Sequence, residues 1–190
     1  MFKKIDLRDF EATEGIIVFD GTVFADAFTR NQKNAEYSLK SVYAISTGKI
    51  PGVITDLEMG KVRRLIGFKN TEKLFEGEFH KNPNCVFYEI MMAGHLDDYR
   101  DIPAYCKLFN LCSSTNLHMP DLTSVVASIE TNRPLVTNDF HHWQQQSNIR
   151  KAYREKYAER RASEMIQRSK KLSDMKMYDS KDFCCLVLKP

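Results

Sequence analysis

The sequence predicts an α/β fold, a three-layer α/β/α sandwich around a central, mainly parallel sheet. The first observation is a set of short, continuous apolar runs bounded by turn residues, which is typical of strands buried on both faces. The second is that helical patterns lie between these runs. The runs are GIIVF (15–19), PGVIT (51–55), CVFYEI (85–90), PLVT (134–137) and CCLVLKP (184–190).

The helical patterns follow the predicted strands in order. Residues 22–46 form one long pattern after the first run, and residues 56–68 follow the second. Residues 95–112 are also predicted to be helical, with a kink or a break at Pro103. Residues 120–132 form the last pattern, and its proline suits the first turn of a helix.

The whole-chain composition indicates one globular domain, residues 1–190. A chain of 190 residues with 43% hydrophobic and 28% charged residues has room for a full core and is not typical of disorder. No apolar run is long enough to cross a bilayer, and the N-terminus has no apolar signal core, so we expect a cytoplasmic protein without a membrane partner. The five cysteines include no C-x-x-C pair, which argues against disulfide and zinc frameworks.

Positive charge is concentrated near the C-terminus. The net charge is +3, yet residues 145–176 contain ten Lys/Arg and four acids. Residues 141–180 are rich in helix formers and are predicted to be a basic helical insert before the last strand. Its cations suit a phosphate backbone, with a solvated helix and a dock for an acidic partner as alternatives. The predicted nucleic-acid contacts share one heptad-spaced face: Arg150, Arg154, Arg161, Arg168 and Lys171.

The segment FDGTVF (19–24) is similar to two aspartate motifs. It is similar to the phosphatase motif of the haloacid-dehalogenase families, whose chemistry needs two aspartates in D-x-D order. Val18 stands where the nucleophilic aspartate would be, and valine cannot attack phosphorus, so that activity is excluded. FDGTVFADAF (19–28) also resembles the strand-one motif of PIN-domain nucleases, usually D-T-N or D-S-S followed by an apolar helix.

Residues 119–143, MPDLTSVVASIETNRPLVTNDFHHW, resemble the C-terminal half of PIN domains more closely. In that family an aspartate opens a helix, and a turn and a strand follow that end in T-N-D or a similar motif. Asp121 would open the helix, and Asp139 would end the motif 18 residues later. The terminal LVLKP (186–190) resembles the short last strand of prokaryotic PIN toxins. The resemblance is weak over residues 70–118.

The resemblance also implies an acid just after the second strand. Family members place a glutamate in the first turn of that helix. Thr55 as a helix cap selects Glu58, in the manner of a capping box, whereas counting back from Gly60 selects Asp56. We favour Glu58, with Asp56 as the alternative. The implied metal ligands are therefore Asp20, Glu58, Asp121 and Asp139.

The positions of these four acids in the predicted fold also favour a metal site. Each acid lies at a predicted strand end or helix start, and the carboxyl ends of parallel strands meet at one edge of a sheet. Four carboxylates there would repel one another unless a cation were bound, and oxygen ligands select Mg²⁺ or Mn²⁺. The alternative is that each acid is a separate helix cap.

Three further residues are implied to position the acids or the phosphate. Thr22, in the place of the usual T-N or S-S, would order Asp20 through its hydroxyl. Thr137 and Asn138 would orient the acids around them. Asp26, one helical turn after Thr22, is expected to face solvent.

The resemblance implies a metal-dependent endoribonuclease in which metal-activated water attacks an RNA phosphodiester. It implies RNA as a partner, often a homodimer, and for many relatives a toxin held by an antitoxin or other acidic protein. Two alternatives stay open. One is a catalytically inactive PIN-like module that binds RNA or protein, and the other is a structure-specific DNA nuclease of the same superfamily.

Overall fold

The computed structural model describes residues 2–7, 15–29, 33–92, 119–139 and 176–188. Six strands in these residues form one sheet in the order β1-β4-β3-β2-β5-β6, and every pairing is parallel. The predicted α/β class with a parallel sheet is therefore confirmed, in an arrangement compatible with a three-layer sandwich. The strands are β1 (Phe2–Asp6), β2 (Ile17–Phe19), β3 (Gly52–Thr55), β4 (Phe87–Met91), β5 (Leu135–Val136) and β6 (Met177–Tyr178).

The helices alternate with these strands along much of the chain. They are α1 (Gly21–Phe28), α2 (Ala35–Ser46), α3 (Asp56–Ile66), α4 (Phe68–Glu72), α5 (Phe79–Lys81), α6 (Met119–Thr131) and α7 (Ser180–Phe183), with π-helical segments at Lys73–Glu78 and Cys184–Leu188. The single helix predicted over 22–46 is wrong, because the backbone leaves the helical region at Thr29 (φ −93°, ψ 85°) and α2 starts at Ala35. The helices predicted over 56–68 and 120–132 match α3 and α6 closely.

Strand β1 lies at one end of the sheet and was not predicted. Among the described strands it pairs with β4 alone, and its two lysines are exposed. The search for continuous apolar runs finds strands buried on both faces, so it misses a partly exposed edge strand that carries charges.

Aromatic side chains form much of the core between β4, α1 and the helical segment 68–81. Phe24 of α1 contacts Phe75 with a ring-centroid distance of 5.1 Å, and Phe79 contacts Phe87 of β4 at 5.0 Å. All four side chains are buried. Because Phe24 belongs to the first helix after β2, this packing helps hold the β2–α1 junction in place.

The C-terminal prediction is wrong in two respects. The run predicted as the last strand, 184–190, is π-helical over Cys184–Leu188, and Leu186 is 61% exposed. The last strand among the described residues is instead β6, which pairs with β5 and lies inside residues 141–180, the segment predicted as a helical insert. Asp179 caps α7 by accepting a hydrogen bond from the N–H of Asp182 at 2.7 Å, so the chain turns helical where a strand was expected.

Several predictions lie outside the described residues. They include the helix over 95–112, most of the basic insert and its five predicted nucleic-acid contacts. Across the part of the chain that is described, no helix is both long and apolar enough to span a membrane.

Candidate metal centre

Three of the predicted acids meet at the carboxyl edge of the sheet. Asp20 directly follows β2, and Glu58 lies in the first turn of α3, directly after the neighbouring strand β3. Asp121 lies in the first turn of α6. Each offers a carboxylate oxygen within 4.8 Å of the others, and all three residues are buried. The three could hold a metal ion.

Lys61 of α3 lies among these acids and links them to the fourth. Its Nζ is 2.5 Å from Asp121 Oδ1, 3.5 Å from Asp20 Oδ1 and 3.7 Å from Glu58 Oε2. The same atom is 3.5 Å from Asp139 Oδ2. The ammonium therefore contacts all four carboxylates that the sequence predicted as ligands.

Two hydrogen bonds hold Glu58, one through its backbone and one through its side chain. Its N–H donates to Thr55 Oγ1 at 3.3 Å, which is the helix cap expected from the sequence. Its Oε2 accepts a hydrogen bond from the Gly21 N–H at 2.8 Å. Its Oε1 is buried and has no hydrogen-bond partner among the described residues. A buried carboxylate oxygen without a hydrogen bond lowers the stability of the fold unless a cation binds it. The site therefore fits a cation.

Burial controls the ionisation of this glutamate. Desolvation raises the pKa of Glu58 well above its usual value, and the charges of Asp20 and Asp121 raise it further. Lys61 and the Gly21 N–H lower it without cancelling the effect. Ionised Glu58 thus needs more positive charge than one lysine supplies.

Asp56, the alternative to Glu58, is placed differently. Its Oδ1 accepts hydrogen bonds from the N–H groups of Leu57 at 2.9 Å and Met92 at 3.0 Å. This carboxylate joins the start of α3 to the end of β4. The geometry favours Glu58 over Asp56 as a member of the acidic cluster.

Thr22 and Thr137 make the contacts expected of positioning residues. The Thr22 hydroxyl and N–H both donate to Asp20 Oδ1, at 2.6 and 2.7 Å. The Thr137 hydroxyl accepts from the N–H of Asp139 at 3.0 Å. Both contacts orient the acids through short local bonds.

Asn138 connects this edge to the helices around it. Its N–H donates to the Thr22 hydroxyl at 3.2 Å, and its side-chain amide donates to Asp26 Oδ2 at 2.8 Å. Its Oδ1 accepts from the Ser180 N–H at 3.0 Å. The expectation that Asp26 faces solvent is therefore wrong, since this carboxylate is partly buried against Asn138. Burial, with a contribution from Asp20, raises the pKa of Asp26 despite that hydrogen bond.

Lys61 was not predicted from the sequence as a residue of this site. It follows Glu58 by three positions, which places both side chains on one helix face. The i,i+3 spacing of Glu58 and Lys61 can be found in the sequence. It does not single out a site residue, because such pairs of opposite charge are common on exposed helices. Burial alone would lower the pKa of Lys61, yet the charges of Asp20, Glu58 and Asp121 raise it overall, so it stays an ammonium ion.

Comparison of the chain with models of protein families and with curated proteins found no match. The site must therefore be interpreted from its own geometry and chemistry.

Proposed function

We propose that this protein is a Mg²⁺- or Mn²⁺-dependent, PIN-like endoribonuclease that hydrolyses RNA phosphodiester bonds. The proposal rests on the cluster of Asp20, Glu58 and Asp121 at the carboxyl edge of a parallel sheet. One buried oxygen of Glu58 in this cluster has no hydrogen-bond partner among the described residues. Ligands at such an edge are typical of α/β enzymes. An all-oxygen donor set favours a hard cation over zinc.

The residues divide into two roles under this proposal. Asp20, Glu58, Asp121 and Asp139 would hold the ion, with Thr22 and Thr137 orienting Asp20 and Asp139. A bound divalent ion would lower the pKa of a water and offset charge on the phosphodiester. The basic segment 145–176 would hold the RNA backbone. An antitoxin or other acidic partner, and a homodimer, are further predictions from the family resemblance.

A second candidate is a catalytically inactive PIN-like module that binds RNA or protein. One observation favours it: Lys61 already supplies a cation to all four carboxylates. If the ammonium satisfied the site completely, the acids would stabilise the fold without binding metal.

Metal binding and cleavage test the proposal together. We expect millimolar Mn²⁺ to raise the Tm of the wild-type chain, because an ion that binds only the folded state stabilises it by mass action. Glu58→Gln should abolish most of that shift and reduce RNA cleavage by a factor of roughly 100 or more. The measurements are thermal denaturation with and without Mn²⁺ and gel-based cleavage of single-stranded RNA, tRNA and rRNA loops.

Asp56→Asn is the matched control on the same helix. Asparagine retains an oxygen that can accept from Leu57 and Met92, so the Mn²⁺ shift and cleavage should stay close to wild type. The reverse ranking of the two variants would contradict the assignment of Glu58. A wild-type chain that binds RNA but never cleaves it in Mn²⁺ would favour the inactive module, and cleavage restricted to structured DNA would favour the DNA nuclease.

A further inference from the structure

We propose that the Lys61 ammonium occupies one cation position of the acidic cluster, so that the wild-type site accepts one divalent ion fewer than the same site without this lysine. The inference rests on the proposed function only in that a divalent ion binds at this site. The test below distinguishes a failure of the inference from a failure of the proposed function. It concerns how many ions the site holds.

The placement of Lys61 is dictated by α3. Met59 and Val62 of this helix are buried in the core, which fixes the rotation of the helix about its axis. Glu58 and Lys61 therefore point to the same side. The Lys61 side chain is only 11% exposed. Its ammonium is confined to the cluster and does not extend into solvent like a surface lysine.

A second contact fixes α3 relative to the helix that carries Asp121. The hydroxyls of Thr55 and Thr123 lie 2.7 Å apart and are both buried. This hydrogen bond joins the residue that caps α3 to the second turn of α6. The Thr55–Thr123 hydrogen bond thus helps hold Lys61 of α3 close to Asp121 of α6.

The ammonium lies where a second ion would be bound. In two-ion phosphodiester sites the ions are about 3.5–4 Å apart and share carboxylates. Lys61 Nζ lies between 2.5 and 3.7 Å from oxygens of all four acids, so it already shares Asp20, Glu58 and Asp121. A divalent ion beside it would use the remaining oxygens, including the buried Glu58 Oε1. A further divalent ion would meet both a filled volume and like-charge repulsion.

Charge favours one additional cation but not two. One ammonium against four carboxylates leaves the cluster negative, so room remains for one divalent ion. With the ammonium removed, the same four carboxylates can neutralise two. The number of bound ions should therefore change with Lys61.

The test counts Mn²⁺ bound per full-length chain by equilibrium dialysis and titration calorimetry. We expect one ion in the wild type and two in Lys61→Met, refolded in Mn²⁺ so that its carboxylates have a counter-ion. Lys61→Arg, which keeps the charge, should bind one. Arg64→Met removes an exposed charge from the same helix and should also bind one.

The outcomes distinguish this inference from the proposed function. No ion in the wild type and one in Lys61→Met would support the inference and contradict a metal-dependent nuclease. An equal count in the two proteins would overturn the inference, whatever their affinities. Should Lys61→Met not refold, the wild type alone still decides: a spin-coupled Mn²⁺ pair in its electron paramagnetic resonance spectrum overturns the inference, and a single uncoupled ion supports it.

Discussion

Gly21 lies where α1 and α3 approach each other closely. A Cβ atom added there would lie 2.7 Å from Glu58 Oε2 and 2.9 Å from the Glu58 carbonyl oxygen. The same residue donates its N–H to Glu58. This contact explains why the residue directly after Asp20 must be small. A glutamate can be buried at position 58 only if the residue at position 21 has no side chain.

Gly21→Ala should therefore displace Glu58 and disturb the proposed metal site. We expect a loss of about 1–3 kcal/mol in the free energy of unfolding, the usual cost of overpacking, together with loss of the Mn²⁺-dependent rise in Tm. Thermal and chemical denaturation with and without Mn²⁺ measure both effects.

Gly60→Ala is the control for that substitution. Gly60 is exposed in the middle of α3, and a Cβ there would meet no atom within 4 Å. Alanine in a helix interior should stabilise the protein by about 0.5–1 kcal/mol and keep the Mn²⁺ shift. Equal behaviour of the two variants would refute the close-approach argument.

At the scale of elements, β4 carries a buried acid outside the acidic cluster of Asp20, Glu58 and Asp121. Glu89 is 3% exposed, and its Oε2 lies 3.5 Å from Lys4 Nζ on β1. Burial raises the pKa of Glu89 above its usual value of 4.5, although Lys4 and Arg63 lower it in part. The folded protein therefore binds this proton more tightly than the unfolded chain does.

The sign of the pH effect follows directly. Where the folded state binds more protons than the unfolded state, stability falls as pH rises, here from about 4.5 upward through the folded pKa of Glu89. Glu89→Gln should raise Tm at pH 7.5 by roughly 1–2 °C, and the gain should vanish near pH 4. Thermal denaturation across this pH range checks the prediction.

Glu36→Gln is the matched control, because Glu36 forms an exposed pair with Lys40. The hydrogen bond and charge of Lys40 lower the pKa of Glu36, so any contribution of this pair to stability is lost as pH falls. Removing it should not raise Tm at pH 7.5. A Tm gain from Glu36→Gln as large as that from Glu89→Gln would mean that burial is not the cause.

At the scale of the whole molecule, the acidic cluster and the basic segment are joined through β5. Asp139 follows this strand at the edge that holds the cluster, and the basic segment continues from it along the chain. The proposed nuclease therefore separates two roles: carboxylates for cleavage and cations for binding.

Reversing Arg154, Arg161 and Arg168 to Glu should weaken RNA binding and flatten its dependence on salt, because fewer counterions are released. For single strands the slope of log K against log salt should fall by about 0.7 per lost contact. Fluorescence anisotropy at several salt concentrations measures this. Asp139→Asn should leave RNA affinity equal to or above wild type while cleavage collapses.

The matched control reverses three exposed cations elsewhere: Arg64, Lys69 and Lys81. This triple variant changes the net charge by the same amount. If it weakens RNA binding as much as the first triple, the effect comes from net charge and the basic segment is only a solvated helix.

The sequence by itself determined the α/β class with a parallel sheet, four of the strands to within about two residues, and the three acids that meet at the sheet edge, Asp20, Glu58 and Asp121. These features follow from local patterns: apolar runs with helices between them, and carboxylates at the ends of strands. The choice of Glu58 over Asp56 was also favoured locally, since Thr55 caps α3 three residues earlier. Because the strands are parallel, residues that follow their carboxyl ends lie at the same edge of the sheet.

Only the tertiary structure decided what meets at that edge. Lys61 has the sequence context of a surface lysine, and it becomes a cluster residue because Met59 and Val62 turn α3 toward the core. Gly21 becomes restrictive because Glu58 packs against it. The run 184–188 is as apolar as a buried strand, yet the Asp179 cap starts a helix and β5 pairs with Met177–Tyr178 instead. The contacts of Glu58 with Gly21, of Lys61 with Asp121 and of β5 with β6 join residues far apart in the sequence, so no local pattern relates them.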